Sequence, residues 1–343
     1  MRGTNMKKFY SAIFSTLLLL MVFLTGCSND TKTASVSEKK ADSYPTRQIE
    51  LVVPFAAGGG VDLAARAVAE HLSKEWGQPV VVTNKPGGGG IIGAQYALKE
   101  AKADGYTVLV NNNSATTMYE AGNSNPILTA KDNKFTSRVA EGTLAYAVKS
   151  DAQWKSFKEF TEWVKKNPEK LTWASVGPAG FSAFGVAEWL DSIGVDYKKT
   201  NMVSSEGASD SAAKVAGGHV VLAVHTVGEL YSLAESGKIK LLAVQSSERS
   251  PIFPEVPTVE EEGYKGLTVK WWAGLSFAAG TPDDIVKKWD SAIAKMEKDE
   301  QFLKEIEKIK LEPSYLNSKD FTKAVKEETE KYTQLAKTTG IRK

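Results

Sequence analysis

Residues 49–76, IELVVPFAAGGGVDLAARAVAEHLSKEW, decide the fold. The apolar run Ile49 to Val53 reads as a buried strand. Proline and three glycines end it, and from Asp62 to Trp76 apolar residues recur at helical spacing until Gly77 and Pro79 stop them. Asp62 is placed to cap that helix at its N-terminus. A strand, a glycine turn and a helix in this order make an anion cradle. Glycines leave the amides uncovered and accept positive φ, and the helix start adds unpaired N–H groups and the positive end of its dipole.

The same order recurs along the chain. Val80 to Thr83 is a second strand, entering the turn Asn84-Lys85-Pro86-Gly87-Gly88-Gly89-Gly90-Ile91-Ile92-Gly93 and a helix from Ile92 to Ala101. A turn at Asp104-Gly105 leads to the strand Tyr106 to Val110 and the polar run Asn111, Asn112, Asn113, Ser114. The pattern then restarts. A strand at Thr143 to Val148, a helix at Trp154 to Lys166 and a strand at Leu171 to Ser175 precede a third turn, Gly177-Pro178-Ala179-Gly180, and a helix from Ser182 to Ile193. A loop at Ser204 to Gly207, a helix at Ala208 to Ala216 and strands at His219 to His225 and Lys240 to Gln245 follow. Trp271 to Phe277 reads as a return crossing, with both tryptophans as packing residues. Thr281-Pro282-Asp283-Asp284 starts a helix with threonine as cap and proline first, and helices fill the C-terminus. Such βαβ alternation predicts an α/β protein with mostly parallel sheets and ligands beyond the carboxyl ends of the strands.

The N-terminus places the chain outside the cytoplasm. Arg2, Lys7 and Lys8 precede an uncharged stretch from Ser11 to Phe23. That stretch is too short for a helix needing about 20 residues to span a bilayer, and reads as the core of a signal peptide. Leu24-Thr25-Gly26-Cys27 resembles the bacterial lipobox, which makes Cys27 the lipidated first residue of the mature chain and residues 1–26 the signal peptide. Residues 27–43, rich in Ser, Thr, Lys, Asp and Glu, form a tether. Cys27 is the only cysteine in 343 residues, so disulfides, CxxC metal sites and dithiol chemistry are excluded.

Some 300 residues remain, enough for two lobes. Basic and acidic residues number 43 and 41 and are interspersed, which gives no footprint for nucleic acid. Gly88, Gly90 and Gly93 fit the spacing of a dinucleotide loop, but no acid follows the next strand to hold a ribose. The glycine turns also lack the lysine of a P-loop. No GxSxG, HExxH or cysteine nucleophile marks an enzyme, and no metal or cofactor is expected. The histidines are His71, His219 and His225. His71 sits in the first helix as a packing residue, and the other two, on one strand face, would be roughly 20 Å apart, too far for one metal. His225, at a strand end, faces the cleft.

Five segments in one order carry a resemblance: VVPFAAGGGVDLAARAVAEHL, VVTNKPGGGGIIGA, KADGYTVLV, SGKIKLLAVQSSERSPIFPEVPTVEEEGY and WWAGLSFAAGTPDDIV. Together they resemble the substrate-binding proteins of tripartite tricarboxylate transporters, the Bug or TctC-like family, from Tyr44 to the C-terminus. The resemblance implies a two-lobed, type II-like periplasmic-binding-protein fold of the Venus-flytrap kind. Lobe 1 would comprise residues 44–145 plus 272–343 and lobe 2 residues 146–271. It implies a monomer, lipid-anchored at Cys27 on the extracytoplasmic face of the cell membrane. The protein would close on a mono-, di- or tricarboxylate and deliver it to large and small membrane permease subunits.

The ligand contacts it implies are Phe55, Ala56, Ala57 and Gly58 with Asn112, Asn113 and Ser114 in the first lobe. In the second they are Gly177, Ala179, Gly180 and Ser182, with His225 joining them. Val221 stands where the family has an acid, and Ala278 or Ala279 where it has proline, which bears on the ligand rather than the fold. A ligand-binding partner of a sensor kinase, or an exported enzyme on the same frame, are the alternatives.

Overall fold

The computed structural model of the chain describes residues 43–342. The expected signal peptide, the expected lipidation site Cys27 and nearly all of the expected tether lie outside the described residues. From Tyr44 onward the chain forms one compact unit built on two sheets.

The first half of the chain lays down β1 (Ile49–Val53), α1 (Gly60–Trp76), β2 (Val80–Asn84), α2 (Ile91–Gln95) with a π turn at Tyr96–Glu100, β3 (Thr107–Asn112), α3 (Thr117–Gly122) and β4 (Asn133–Gly142). The second sheet begins one residue later. It comprises β5 (Leu144–Lys149), α4 (Phe157–Lys166), β6 (Thr172–Ser175), α5 (Phe181–Ser192), β7 (Asn201–Ser204), α6 (Ala208–Ala216), β8 (Leu222–Thr226), α7 (Val227–Glu235) and β9 (Ile239–Gln245). The chain returns to the first sheet with β10 (Trp271–Ala278) and finishes with α8 (Asp283–Met296), α9 (Glu300–Lys308), β11 (Glu312–Leu316) and α10 (Ser318–Thr339).

Strand order is β11-β4-β10-β3-β1-β2 in one sheet and β7-β6-β8-β5-β9 in the other. The expectation of mostly parallel sheets is corrected here. The βαβ units β1–β2, β1–β3, β6–β7 and β6–β8 pair in parallel, but β10, β11, β5 and β9 enter antiparallel. The reason lies in the crossings. β5 and β10 arrive from the other lobe and enter from the opposite end, so they run against the strands on both sides of them; β9 pairs antiparallel because its one partner is β5, and β11 pairs antiparallel along β4 at the sheet edge. β4 and β11 have no counterpart in the sequence reading, because NKFTSRVAEG and EPSYL carry little apolar periodicity.

Three local expectations also shift. α1 begins at Gly60 with Gly59 as its cap, so Asp62 is the third helical residue. β8 begins at Leu222, leaving His219 in the preceding turn. α8 is capped by Pro282, whose carbonyl accepts the first helical bond from Val286 N–H, and not by Thr281.

Buried apolar faces fuse each sheet to its helices. In the second lobe the Trp189 ring lies 5.8, 5.4 and 5.5 Å from those of Tyr146, Phe157 and Phe160, and in the first Trp289 meets Trp76 and Phe277 edge-on at 4.8 and 5.5 Å. The return crossing is pinned by one buried carboxylate. Glu188 on α5 accepts from Thr268 N–H at 2.7 Å, Val269 N–H at 2.9 Å and Gln245 Nε2 at 3.1 Å. Helix α10 then touches both lobes, placing Tyr332 against Phe184 and Phe321 against Phe135. These anchors fix the segments from which the cleft walls spring.

Candidate functional site

The first wall is the turn after β1. Asp62 lies 2% exposed and turns its carboxylate backwards. It accepts from Gly58 N–H at 2.9 Å, from Arg66 Nε and Nη2 at 3.0 and 2.9 Å, and from Asn84 Nδ2 at 3.0 Å. Asn84 Nδ2 also reaches the Phe55 carbonyl at 3.1 Å. Burial works to raise the Asp62 carboxyl, but the bonds from Arg66, Gly58 and Asn84 outweigh it and hold the group below the usual carboxylate range. The turn is therefore stapled at both ends. Among the described residues the amides of Ala56, Ala57 and Gly59 find no acceptor.

The opposite wall repeats the device. Asp210, in the first turn of α6, accepts from Glu206 N–H at 3.1 Å and from Lys214 Nζ one turn on. The hydrogen bond from Lys214 leads the causes that lower its carboxyl. The segments GGGVDLAAR, 58–66, and EGASDSAAK, 206–214, share Gly59/Gly207, Asp62/Asp210, Ala64/Ala212 and Ala65/Ala213, with Arg66 answered by Lys214. In both, an acid binds the amide four residues before it and a cation four after. The amides of Gly207, Ala208 and Ser209 are left without acceptors among the described residues.

Between the walls, Glu229 joins the lobes. Its Oε1 accepts from Gly60 N–H, the first residue of α1, at 3.1 Å, and its Oε2 accepts from Thr226 N–H at 3.1 Å and Thr226 Oγ1 at 3.0 Å. His225 Nδ1 stands 3.7 Å from Oε2, longer than a hydrogen bond. Burial pushes the Glu229 carboxyl up, but His225 and the Gly60 and Thr226 amides prevail and hold it below its ordinary value. On its other side His225 Nε2 lies 3.3 Å from Ser182 Oγ, whose own hydrogen goes to the Val224 carbonyl at 2.6 Å. A second bond crosses the cleft where Phe181 N–H, at the start of α5, donates to Ser114 Oγ at 2.8 Å.

These elements enclose a cavity of about 180 Å³ with the N-terminal turns of α1, α5 and α6 on its walls. Of the residues expected at the ligand, Phe55, Ala56, Ala57, Asn112, Ser114, Ser182 and His225 line this cavity. Gly58 does not, and its N–H is turned to Asp62 Oδ2. Asn113 does not either. Asn112, the last residue of β3, and Ser114, in the turn beyond it, face the cleft, whereas Asn111 and Asn113 turn into the lobe. Asn111 there donates to Asn133 Oδ1, and Asn113 to the Lys270 carbonyl. Gly177, Ala179 and Gly180 line an adjoining cavity of about 630 Å³, opposite Gly87 to Gly90. Sequence reasoning missed Glu206 to Asp210, Glu229 and the cleft edge of Trp271. The signal for the first group was present in the EGASDSAAK repeat. Glu229, by contrast, reads in sequence as an ordinary capping-box acid three residues after Thr226.

Gly58 keeps a specific role. Its φ is +85°, and a Cβ there would meet nothing within 4 Å. Gly58→Ala is thus expected to act through backbone strain, lowering stability by about 1–2 kcal/mol without filling the cavity. Chemical denaturation checks this.

Comparison with known proteins agrees with the geometry. The profile of the tripartite tricarboxylate transporter family receptor, TctC, matches residues 64–341. A Cupriavidus necator protein, described as a UPF0065 protein in the gbd 5' region, is 31% identical over 315 residues, 90% of this chain and 93% of its own. The periplasmic binding protein BugD is 29% identical, with a TM-score of 0.79 over 87% of this chain and 99% of its own. An R. palustris protein solved with adipate is 26% identical, with a TM-score of 0.80 over 87% of this chain and 98% of its own. With the profile spanning most of the chain and the two-lobed fold shared with BugD, this protein belongs to the tripartite tricarboxylate transporter receptor family.

Proposed function

We propose that the chain is an extracytoplasmic receptor that captures a small organic carboxylate between its lobes and delivers it to the large and small subunits of a membrane permease. The lobes are residues 44–145 plus 272–343 and residues 146–271, and a lipid on Cys27 holds the protein at the outer face of the cell membrane. One observation carries the reading. Three helix N-termini converge on one cavity with loop amides to spare, an arrangement that stabilises an anion and asks nothing specific of its remainder. Adipate, bound by the R. palustris relative, is an acid of this kind.

The protein binds and does not turn over its ligand. Ser182, His225 and Glu229 stand in the order of a hydrolytic triad, but the Ser182 hydrogen is committed to the Val224 carbonyl and Glu229 lies 3.7 Å from the imidazole. That geometry supports a scaffold for donors, with no base poised to activate the hydroxyl.

A panel of mono-, di- and tricarboxylates tests the reading by thermal shift on the domain from Tyr44 onward. An acid present at a hundred times its Kd should stabilise the native state by about 2.7 kcal/mol, a rise of roughly 5 °C in Tm. Silence across the acids, with a shift from a sugar or a cation, would refute it.

A further inference from the structure

The carboxylate cavity does not stand alone. Phe55, Ser114, Val176 and Glu206 wall both it and the adjoining cavity of about 630 Å³, so the two are compartments of one cleft. Their chemistry differs. The helix starts gather on the smaller compartment. The larger is walled by the rings of Phe55, Tyr119, Pro86 and Pro178, by Val176 and by glycine backbone, with Asn123, Ser204 and Ser205 as uncharged polar side chains. Among the described residues no lysine or arginine lines either one. Glu206, exposed on the shared wall, adds a negative charge at the neck.

Resting on the carboxylate reading, we infer that the ligand is a monocarboxylate with an uncharged, elongated tail. Its carboxylate sits against the amides of the smaller compartment, and its tail passes Glu206 into the larger one. A second carboxylate there would meet the Glu206 charge at close range with no cation on the wall to offset it. A methylene tail loses nothing and gains apolar contact with the rings and with Val176. The larger compartment is thus the selectivity site of the receptor.

Calorimetric titration of the domain from Tyr44 onward with butyrate, hexanoate, octanoate and adipate decides the matter. Affinity should rise about fourfold per methylene along the monocarboxylates, with hexanoate at least tenfold tighter than the equally long adipate. Ser204→Trp provides the second arm, because Ser204 is exposed on the wall of the larger compartment and absent from that of the smaller. The variant should bind butyrate as wild type does and lose the gain from longer tails. Equal affinity along the series, adipate tighter than hexanoate, or octanoate binding untouched by Ser204→Trp overturns the inference while leaving the carboxylate reading in place. Failure of every acid to bind overturns that reading itself. The wild-type series is decisive even if the tryptophan variant does not fold.

Discussion

Glu229→Ala is expected to cost about 3 kcal/mol of stability and to weaken carboxylate binding by at least tenfold. The side chain serves two helix starts in different lobes: one oxygen takes the Gly60 N–H of α1, the other the Thr226 N–H and hydroxyl at α7. Removing it strands buried donors on both sides, and hydrogen bonds to a charged group contribute about 1.5–3 kcal/mol each before that penalty. It also removes the bond that holds α1 against the second lobe, so the open cleft gains population and the apparent affinity falls with the closed fraction. The contribution depends on pH in a definite direction. A carboxyl whose folded pKa is depressed stabilises fully above its unfolded value and loses that contribution as pH falls through the folded one. The difference between wild type and Glu229→Ala should therefore shrink in acid. Melts of both proteins from pH 7 down to pH 3, with Glu235→Ala on the same helix as control, measure it. A pH-independent gap would mean that lost packing, and not the charge, sets the cost.

Asp62→Ala is expected to produce the second large effect, about 2–3 kcal/mol in stability with at least a tenfold loss of carboxylate affinity. The carboxylate gathers the Gly58 amide, the Arg66 guanidinium and the Asn84 amide at one buried point, and Asn84 in turn holds the Phe55 carbonyl. Without it the turn from Phe55 to Gly59 is no longer stapled, and its free amides lose their common aim. Asp62→Asn separates charge from shape. The amide can still accept from Gly58 but presents donors to Arg66, so stability should fall by less than in the alanine variant and cease to follow the titration of this acid. Urea melts and titration with a bound acid provide the two readouts. Full affinity in Asp62→Ala would assign the staple to folding alone.

Much of this protein is written locally. The strand, turn and helix of residues 49–76 are fixed by a run of buried aliphatics, glycines that free the backbone and a helical stripe ended by Gly77 in the left-handed conformation. Helix α6 is legible to the residue, from Ala208 to Ala216, because alanines and a glycine start give clear ends. The antiparallel strands are not legible in this way. β11 is exposed or half-buried throughout and is held by its ladder with β4, a partner some 170 residues earlier in the chain, and by side-chain bonds with Arg138, Thr143 and Asp290. Within the site, the end of β3 and the turn after it separate Asn112 and Ser114 from Asn111 and Asn113, a distinction that the polar run hides.

By itself, then, the sequence determined the α/β class and the glycine turn after β1, since propensity, spacing and backbone freedom act within a dozen residues; the two-lobe frame followed from the length of the chain and from its family resemblance. Only the tertiary structure decided which turns face one another. It brought Gly60 against Glu229, set Asp62 across from Asp210, and moved Gly177 to Gly180 from the carboxylate cavity to its larger neighbour. The physical reason is that a helix N-terminus advertises an anion site in sequence, but whether a ligand, an internal glutamate or a neighbouring serine fills it depends on what the fold carries there from far along the chain.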